Sequence, residues 1–146
     1  MPSVKNKWVK PSSNVPFSQG ILAYNGTGAQ IGGNKLVYIS GVQGNSLKII
    51  KADGSAAGTT KTALFVTKHR IPDGKQGVIL PWKIVGFNTT GTSIGDSVYV
   101  SDTAGDIGTS AGSSSRIVGS VLVVGTIAAG GKVFLAPTAM MGLSAI

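Results

Sequence analysis

The chain has 146 residues, a length that suits one domain with a real core and is short for two. It uses Gly 22 times, Cys never and Glu never, so a disulfide framework, a thiolate nucleophile and a Cys-type zinc site are excluded from the outset. The formal net charge is +8, and its whole excess precedes Ile84: Lys and Arg70 face only Asp53 and Asp73 there, whereas Arg116 and Lys132 face Asp96, Asp102 and Asp106 beyond it.

Residues 1–19 read as an extended basic arm. Lys5, Lys7 and Lys10 alternate with Pro2, Pro11, Pro16 and several Ser and Asn, a composition with little means of packing as regular structure by itself. Such an arm suits a tether to an acidic surface, with Trp8 as an apolar anchor. The arm lacks the apolar stretch of a secretory signal.

From residue 20 to residue 137 the pattern is all-β, a small single-domain barrel or sandwich. Val, Ile, Thr and Ser abound where strong helix formers are scarce. Bounded by Gly, Asn, Asp or Pro, eight strands are predicted: Ile21 to Tyr24, Leu36 to Ser40, Ser46 to Lys51, Thr62 to Thr67, Gly77 to Val85, Ser97 to Ser101, Ile117 to Val124 and Lys132 to Ala136. In the sixth, a period of two sends Val98 and Val100 to one face and Ser97, Tyr99 and Ser101 to the other. Asp102 to Ser115, almost entirely Asp, Thr, Ala, Gly and Ser, reads as a long mobile loop or a hairpin with a loose tip. The apolar run Ile117 to Gly131 is too short for a membrane span and too rich in Gly, so no membrane partner is expected. Residues 138–146 form an apolar tail. Its Met140, Met141, Leu143 and Ile146 call for cover, either from the domain itself or through self-association or a second contact.

The two halves repeat one another. Leu36-Val-Tyr-Ile-Ser40 before Gly44 matches Ser97-Val-Tyr-Val-Ser101 before Gly105, and Ile71-Pro-Asp-Gly74 leading to Val78-Ile-Leu80 matches Ile127-Ala-Ala-Gly130 leading to Val133-Phe-Leu135. The pseudo-repeats span about 33–82 and 94–137. A hairpin unit of that size cannot bury its apolar face alone, so the two halves are expected to close against each other.

Catalytic constellations are missing from the pattern. His69 is the single histidine, beside Lys68 and Arg70, and no nucleophile is identifiable for it to activate. Asp96, Asp102 and Asp106 sit in turn contexts and lack the terminal Glu of a calcium loop. Gly125 to Val133 misses the phosphate-loop spacing and its magnesium-binding hydroxyl, and Gly26 to Gly32 has one residue too many for a dinucleotide fingerprint. The sequons at Asn25 and Asn88 read as turns. No cofactor, metal or enzymatic activity is therefore expected. A basic half with Trp8, Phe17, Tyr24, Tyr38, Phe65 and Trp82 leaves a single-stranded nucleic-acid-binding barrel as an alternative, but scattered lysines and only two arginines make no cationic stripe.

One family resemblance emerges. The run Val85 to Gly105, containing Gly95-Asp-Ser-Val-Tyr-Val-Ser101, followed by Arg116-Ile-Val-Gly-Ser-Val-Leu-Val-Val124 and Lys132-Val-Phe-Leu-Ala-Pro137, resembles small structural proteins of tailed-bacteriophage heads. Lys35 to Gly41 and Ala52-Asp-Gly54 are similar to the first half of the same proteins, so the likeness covers roughly Gly33 to Pro137. The resemblance implies a decoration, or cement, protein on the outer capsid surface of the virion, bracing joints between major capsid protein subunits, often as a trimer. A tail, fibre or other virion β-module is the neighbouring alternative. On this reading Lys5, Lys7, Trp8 and Lys10 contact the capsid, and Met140, Met141, Leu143 and Ile146 serve self-association or a second capsid contact.

Overall fold

The computed structural model describes residues 20–55 and 63–139. Among them are ten strands and no helix: β1 (Ile21–Asn25), β2 (Leu36–Gln43), β3 (Ser46–Lys51), β4 (Leu64–Thr67), β5 (Gln76–Leu80), β6 (Lys83–Gly86), β7 (Ser97–Val100), β8 (Ile107–Gly108), β9 (Ile117–Val123) and β10 (Lys132–Leu135). The all-β reading holds, with two differences in the strands. The stretch Gly77 to Val85 is two strands, β5 and β6, broken at Pro81 and Trp82. Proline has no N–H for the ladder, so a continuous strand through Pro81 would leave its partner's carbonyl unpaired. In the stretch Asp102 to Ser115 the hairpin alternative is the one observed, with a two-residue strand not among the eight predicted: β8 pairs antiparallel with β7 through Tyr99↔Gly108 and Val100↔Ile107.

The strands form a closed barrel, β1-β3-β2-β4-β5, and a five-stranded sheet in the order β6-β10-β9-β7-β8. The two are the same arrangement used twice. Advancing every strand of the barrel by five places reproduces the sheet: β1–β5, β5–β4, β4–β2 and β2–β3 are antiparallel, as are β6–β10, β10–β9, β9–β7 and β7–β8. Only one pairing is not duplicated. In the first repeat β1 and β3 pair in parallel and close the barrel. In the second, β6 and two-residue β8 are the two edges and stay apart.

Ladder register refines the repeat read from the sequence. Ile79 lies opposite Ile21 and Thr67, as Val133 lies opposite Val85 and Val121, so Ile79 corresponds to Val133. The sequence motif had instead aligned Ile79 with Phe134. Val-Ile-Leu and Val-Phe-Leu are apolar at every position, which leaves their register open, whereas a slip of one residue exchanges the two faces of a pleated strand. Ile79 and Val133 are both wholly buried, and Phe134 lies opposite exposed Ile84. The correspondence also extends upstream to β1 and β6, which the recurring motifs leave out.

Two clusters of apolar side chains result from this parity. Inside the barrel, Ala23, Val37, Ile49, Phe65 and Ile79 supply one inward residue from each strand, and Ile31 and Ile71 join them. The alternate residues of β2 and β4, Leu36, Leu64 and Val66, point out of the barrel into the concave face of the second sheet, among Val85, Val98, Val100, Val118, Val121, Val133 and Leu135. All four residues of β4 are buried in consequence. Val98 and Val100 take the core face as their alternation requires, with Ser97 and Tyr99 only half-buried on the other side.

Leu36 is wholly buried in the cluster shared by both repeats. Leu36→Ala is therefore expected to cost about 2–5 kcal/mol. Denaturant unfolding followed separately by tryptophan emission and by far-ultraviolet circular dichroism should give one coincident transition at a lower midpoint; two separated transitions would show that the repeats fold independently.

Candidate interaction surfaces

The residues assigned to capsid contact, Lys5, Lys7, Trp8 and Lys10, and those assigned to self-association, Met140, Met141, Leu143 and Ile146, all lie outside the described residues. What the described residues offer is the body between these two segments and the surfaces beside them.

The two repeats are joined by backbone as well as by core. Leu36 N–H donates to Gly105 O at 2.9 Å, Gly105 N–H to Ala52 O at 2.6 Å, and Gly54 N–H to Ser101 O at 2.8 Å. The turn after β7 is thus held against the open end of the β2–β3 hairpin, where β2 begins and β3 finishes. Lys35 Nζ meets Asp106 Oδ1 at 2.6 Å beside these bonds. Gly33, Asn34 and Lys35 also line the seam between the unpaired edges β6 and β8, a cleft of about 270 Å3 with Val85, Gly86 and Ile107 on its other sides. The first repeat's chain therefore stands where a closing strand pair would otherwise form.

In each repeat a buried polar side chain just beyond or at the end of the first strand pins the adjoining turn. Asn25 donates from Nδ2 to Ala29 O and Ile71 O at 2.8 and 2.9 Å. Thr89, which the ladder places in the equivalent position, donates from Oγ1 to Val123 O at 2.7 Å and accepts from Gly125 N–H at 2.9 Å. The two sequons adjoin these positions as matching turns: Asn25 Oδ1 accepts from the N–H and hydroxyl of Thr27, and Asn88 Oδ1 from those of Thr90. The segments Asn25-Gly-Thr27 and Asn88-Thr-Thr90 make the same kind of turn, one residue apart in the correspondence that matches Asn25 with Thr89.

The acidic side chains are engaged in local structure. Asp73 accepts from Gly28 N–H, Asp96 from Ser93 N–H, and Asp102 from both the N–H and hydroxyl of Ser113. Asp53 accepts from the hydroxyl and N–H of Ser55, which hold its carboxyl below the usual carboxylate range. His69 Nδ1 faces the Arg70 carbonyl at 2.9 Å in an exposed turn. Among the described residues, no three His, Asp or Glu side chains gather where they could hold one metal ion. The Gly125–Lys132 segment is the β9–β10 turn, closed by Gly131 N–H to Thr126 O at 2.8 Å.

Two surfaces of the described residues combine several exposed groups of one kind. Lys68, Arg70 and Lys75 are exposed around the β4–β5 connection. Lys83 reaches the same connection, donating to Lys68 O at 2.8 Å; partial burial, and then the nearby Lys68 charge, pull its ammonium below the ordinary lysine value. The second surface is an apolar groove of about 720 Å3 on the outer side of the second sheet, lined by Pro81, Trp82, Phe134, Ala136, Thr138 and Ala139. The Trp82 and Phe134 rings lie 6.0 Å apart at 38°. The sequence hid this groove by placing Trp82 inside a continuous strand; the Pro81-Trp82 pair was the signal that the strand must break.

Comparison with protein-family models, with characterised proteins and with solved structures returns no match for this chain. Among the described residues there is no helix, and so none long and apolar enough to cross a membrane.

The Lys35–Asp106 pair tests how much the joint owes to charge. Both side chains are more than a third exposed, 37% and 40%. A double-mutant cycle of Lys35→Ala and Asp106→Ala should give a coupling of no more than about 1 kcal/mol. Salt near 1 M should shrink it further. A coupling of several kcal/mol would mean that the joint rests on this ion pair more than on the shared core.

Proposed function

We propose that this chain is a structural protein of a tailed-phage virion that binds the exterior of the assembled capsid and stabilises it by bridging major capsid protein subunits. The observation that carries the reading is the pairing of a duplicated β body, whose described acidic side chains and buried polar groups serve turns and joints, with open cationic and apolar surfaces suited to adhesion. The resemblance of Val85 to Gly105 and of Arg116 to Pro137 to phage head proteins supports it from the side of sequence. Lys5, Lys7, Trp8 and Lys10 are assigned to an acidic capsid surface, and Met140, Met141, Leu143 and Ile146 to self-association or a second capsid contact.

Such a protein needs no chemistry to act. A subunit that binds only the assembled shell stabilises that shell by its binding free energy at each occupied site, and small contributions accumulate over many sites. Long-range attraction between the basic first half and an acidic lattice would raise the rate of encounter, and salt would lower it.

Removing residues 1–16 tests the assignment of the arm. The truncated protein should keep its circular dichroism spectrum and melting temperature while its apparent affinity for capsids falls at least ~10-fold, about 1.4 kcal/mol. Sedimentation of capsids with bound protein measures both occupancy and its dependence on salt. Undiminished saturation by the truncated protein would remove the arm from the contact, and absence of binding by the full chain would remove the function itself.

A further inference from the structure

The strand order of the barrel gathers the first repeat's cations at one end. β1 runs parallel to β3 and antiparallel to β5, and β2 runs antiparallel to β3 and β4, so β1, β3 and β4 finish at the end where β2 and β5 begin. Lys35 directly precedes β2, Lys51 closes β3, Lys68 and Arg70 follow β4, and Lys75 directly precedes β5. Lys83 reaches the same place from β6, its Nζ donating to Lys68 O at 2.8 Å and to Thr67 O at 3.3 Å. Among the described residues of this repeat, only Lys48, in the middle of β3, lies away from these strand termini. The β2–β3 hairpin at the opposite end turns through Gln43-Gly-Asn-Ser46 and carries no charge.

The chain's own carboxylate side chains do not neutralise this end. All five of them, Asp53, Asp73, Asp96, Asp102 and Asp106, are among the described residues. Asp106 meets Lys35 at 2.6 Å, Asp73 accepts from Gly28 N–H at 2.9 Å, and Asp53 accepts from the hydroxyl and N–H of Ser55. None of the five forms an ion pair with Lys68, Arg70 or Lys75, and these three side chains are exposed. Lys68, Arg70 and Lys83 therefore repel one another until an anion arrives from outside the chain. We propose that this end of the barrel is a docking surface for the carboxylates of an acidic protein, which on the function proposed above are those of the capsid exterior.

A protein partner fits these residues better than a nucleic acid. Asp73 stands exposed between Arg70 and Lys75. A nucleic-acid backbone is negative at every phosphate and would meet Asp73 along with the cations. A folded protein surface can set carboxylates against Lys68, Arg70 and Lys75 and a hydrogen-bond donor against Asp73. The connection from Lys68 to Lys75 also contains no Phe, Tyr or Trp on which bases could stack, and a single arginine for bidentate phosphate contact. The uneven charge of the two repeats adds orientation. Beyond Lys83, Arg116 and Lys132 face Asp96, Asp102 and Asp106, so an acidic surface attracts the first repeat and not the second.

Naming the capsid as the partner rests on the proposed function, whereas the surface itself is tested with purified full-length protein and immobilised poly-L-glutamate at low salt. Lys68→Glu, Arg70→Glu and Lys75→Glu should each raise Kd at least ~5-fold, since each removes an attraction and adds a repulsion. Lys48→Glu changes the net charge by the same amount away from this end and should raise Kd less than ~2-fold. An unchanged melting temperature shows that each variant is folded. Equal losses in all four variants would reduce the attraction to net charge and overturn the proposal, as would failure of the unaltered chain to bind poly-L-glutamate. Tighter binding of a DNA duplex of equal charge, lost in the same three variants, would make the surface one for phosphate and also overturn it. Sedimentation with capsids separates the two readings. Capsid occupancy unmoved by the three reversals would take this end of the barrel off the shell and leave the decoration reading standing. Absence of capsid binding by the unaltered chain, with the discrimination on poly-L-glutamate intact, would sink the decoration reading and leave the acidic-protein surface standing.

Discussion

The structure depends on one use of surface: the outer wall of the first repeat is the filling of the second. Leu36, Leu64 and Val66 project from β2 and β4 away from the barrel interior and into the concave face of the second sheet, where Val98, Val118, Val133 and Leu135 receive them. A five-stranded sheet with that many inward Val and Leu residues would expose them to water if it stood alone. Burial at roughly 25 cal/mol per Å2 of apolar surface favours the docked arrangement and gives the two repeats one shared core. The same packing accounts for the single broken symmetry. The barrel closes through β1 and β3, whereas Gly33, Asn34 and Lys35 of the first repeat line the seam between β6 and β8.

Among the described residues, many polar side chains serve the fold itself. Asn25 and Thr89 pin turns of the first and second repeat, Asp73, Asp96 and Asp102 bind turn amides, and Asp106 meets Lys35 across the joint. The surfaces left over, exposed cations around the β4–β5 connection and an apolar groove beyond β10, are suited to contact between macromolecules. That balance is the physical basis for proposing adhesion to a shell as the function.

Much of the local structure was legible in the residues because strand parity and turn chemistry are local properties. The alternation in Ser97 to Val100 named the core face correctly, and Gly, Asn and Asp marked turns at Asn25 and after Val100. What was hidden had specific causes. Pro81 sat in a run apolar enough to read as one strand, so the first repeat was rightly ended near residue 82, but β6 as the opening strand of the second, which the sequence began at about 94, and the groove beside it were missed. Ile107 was a lone apolar residue in a Gly, Ser and Thr stretch; its two-residue strand exists through pairing with Tyr99 and Val100, distant in sequence. The segment around it is held by Gly105 N–H to Ala52 O and by Leu36 N–H to Gly105 O, bonds between the two repeats that composition cannot disclose.

By itself the sequence determined the all-β class, the internal duplication, the absence of cysteine chemistry and the concentration of positive charge before Ile84, because each is carried by residue identity or short-range periodicity. Tertiary structure alone decided the register of the repeat, which half closes into a barrel, and which faces of β2, β4 and β10 are buried or open. Those depend on pairing and packing between residues far apart along the chain, and an apolar triplet such as Val78-Ile-Leu80 reads the same in either register until its neighbours place Ile79 inward.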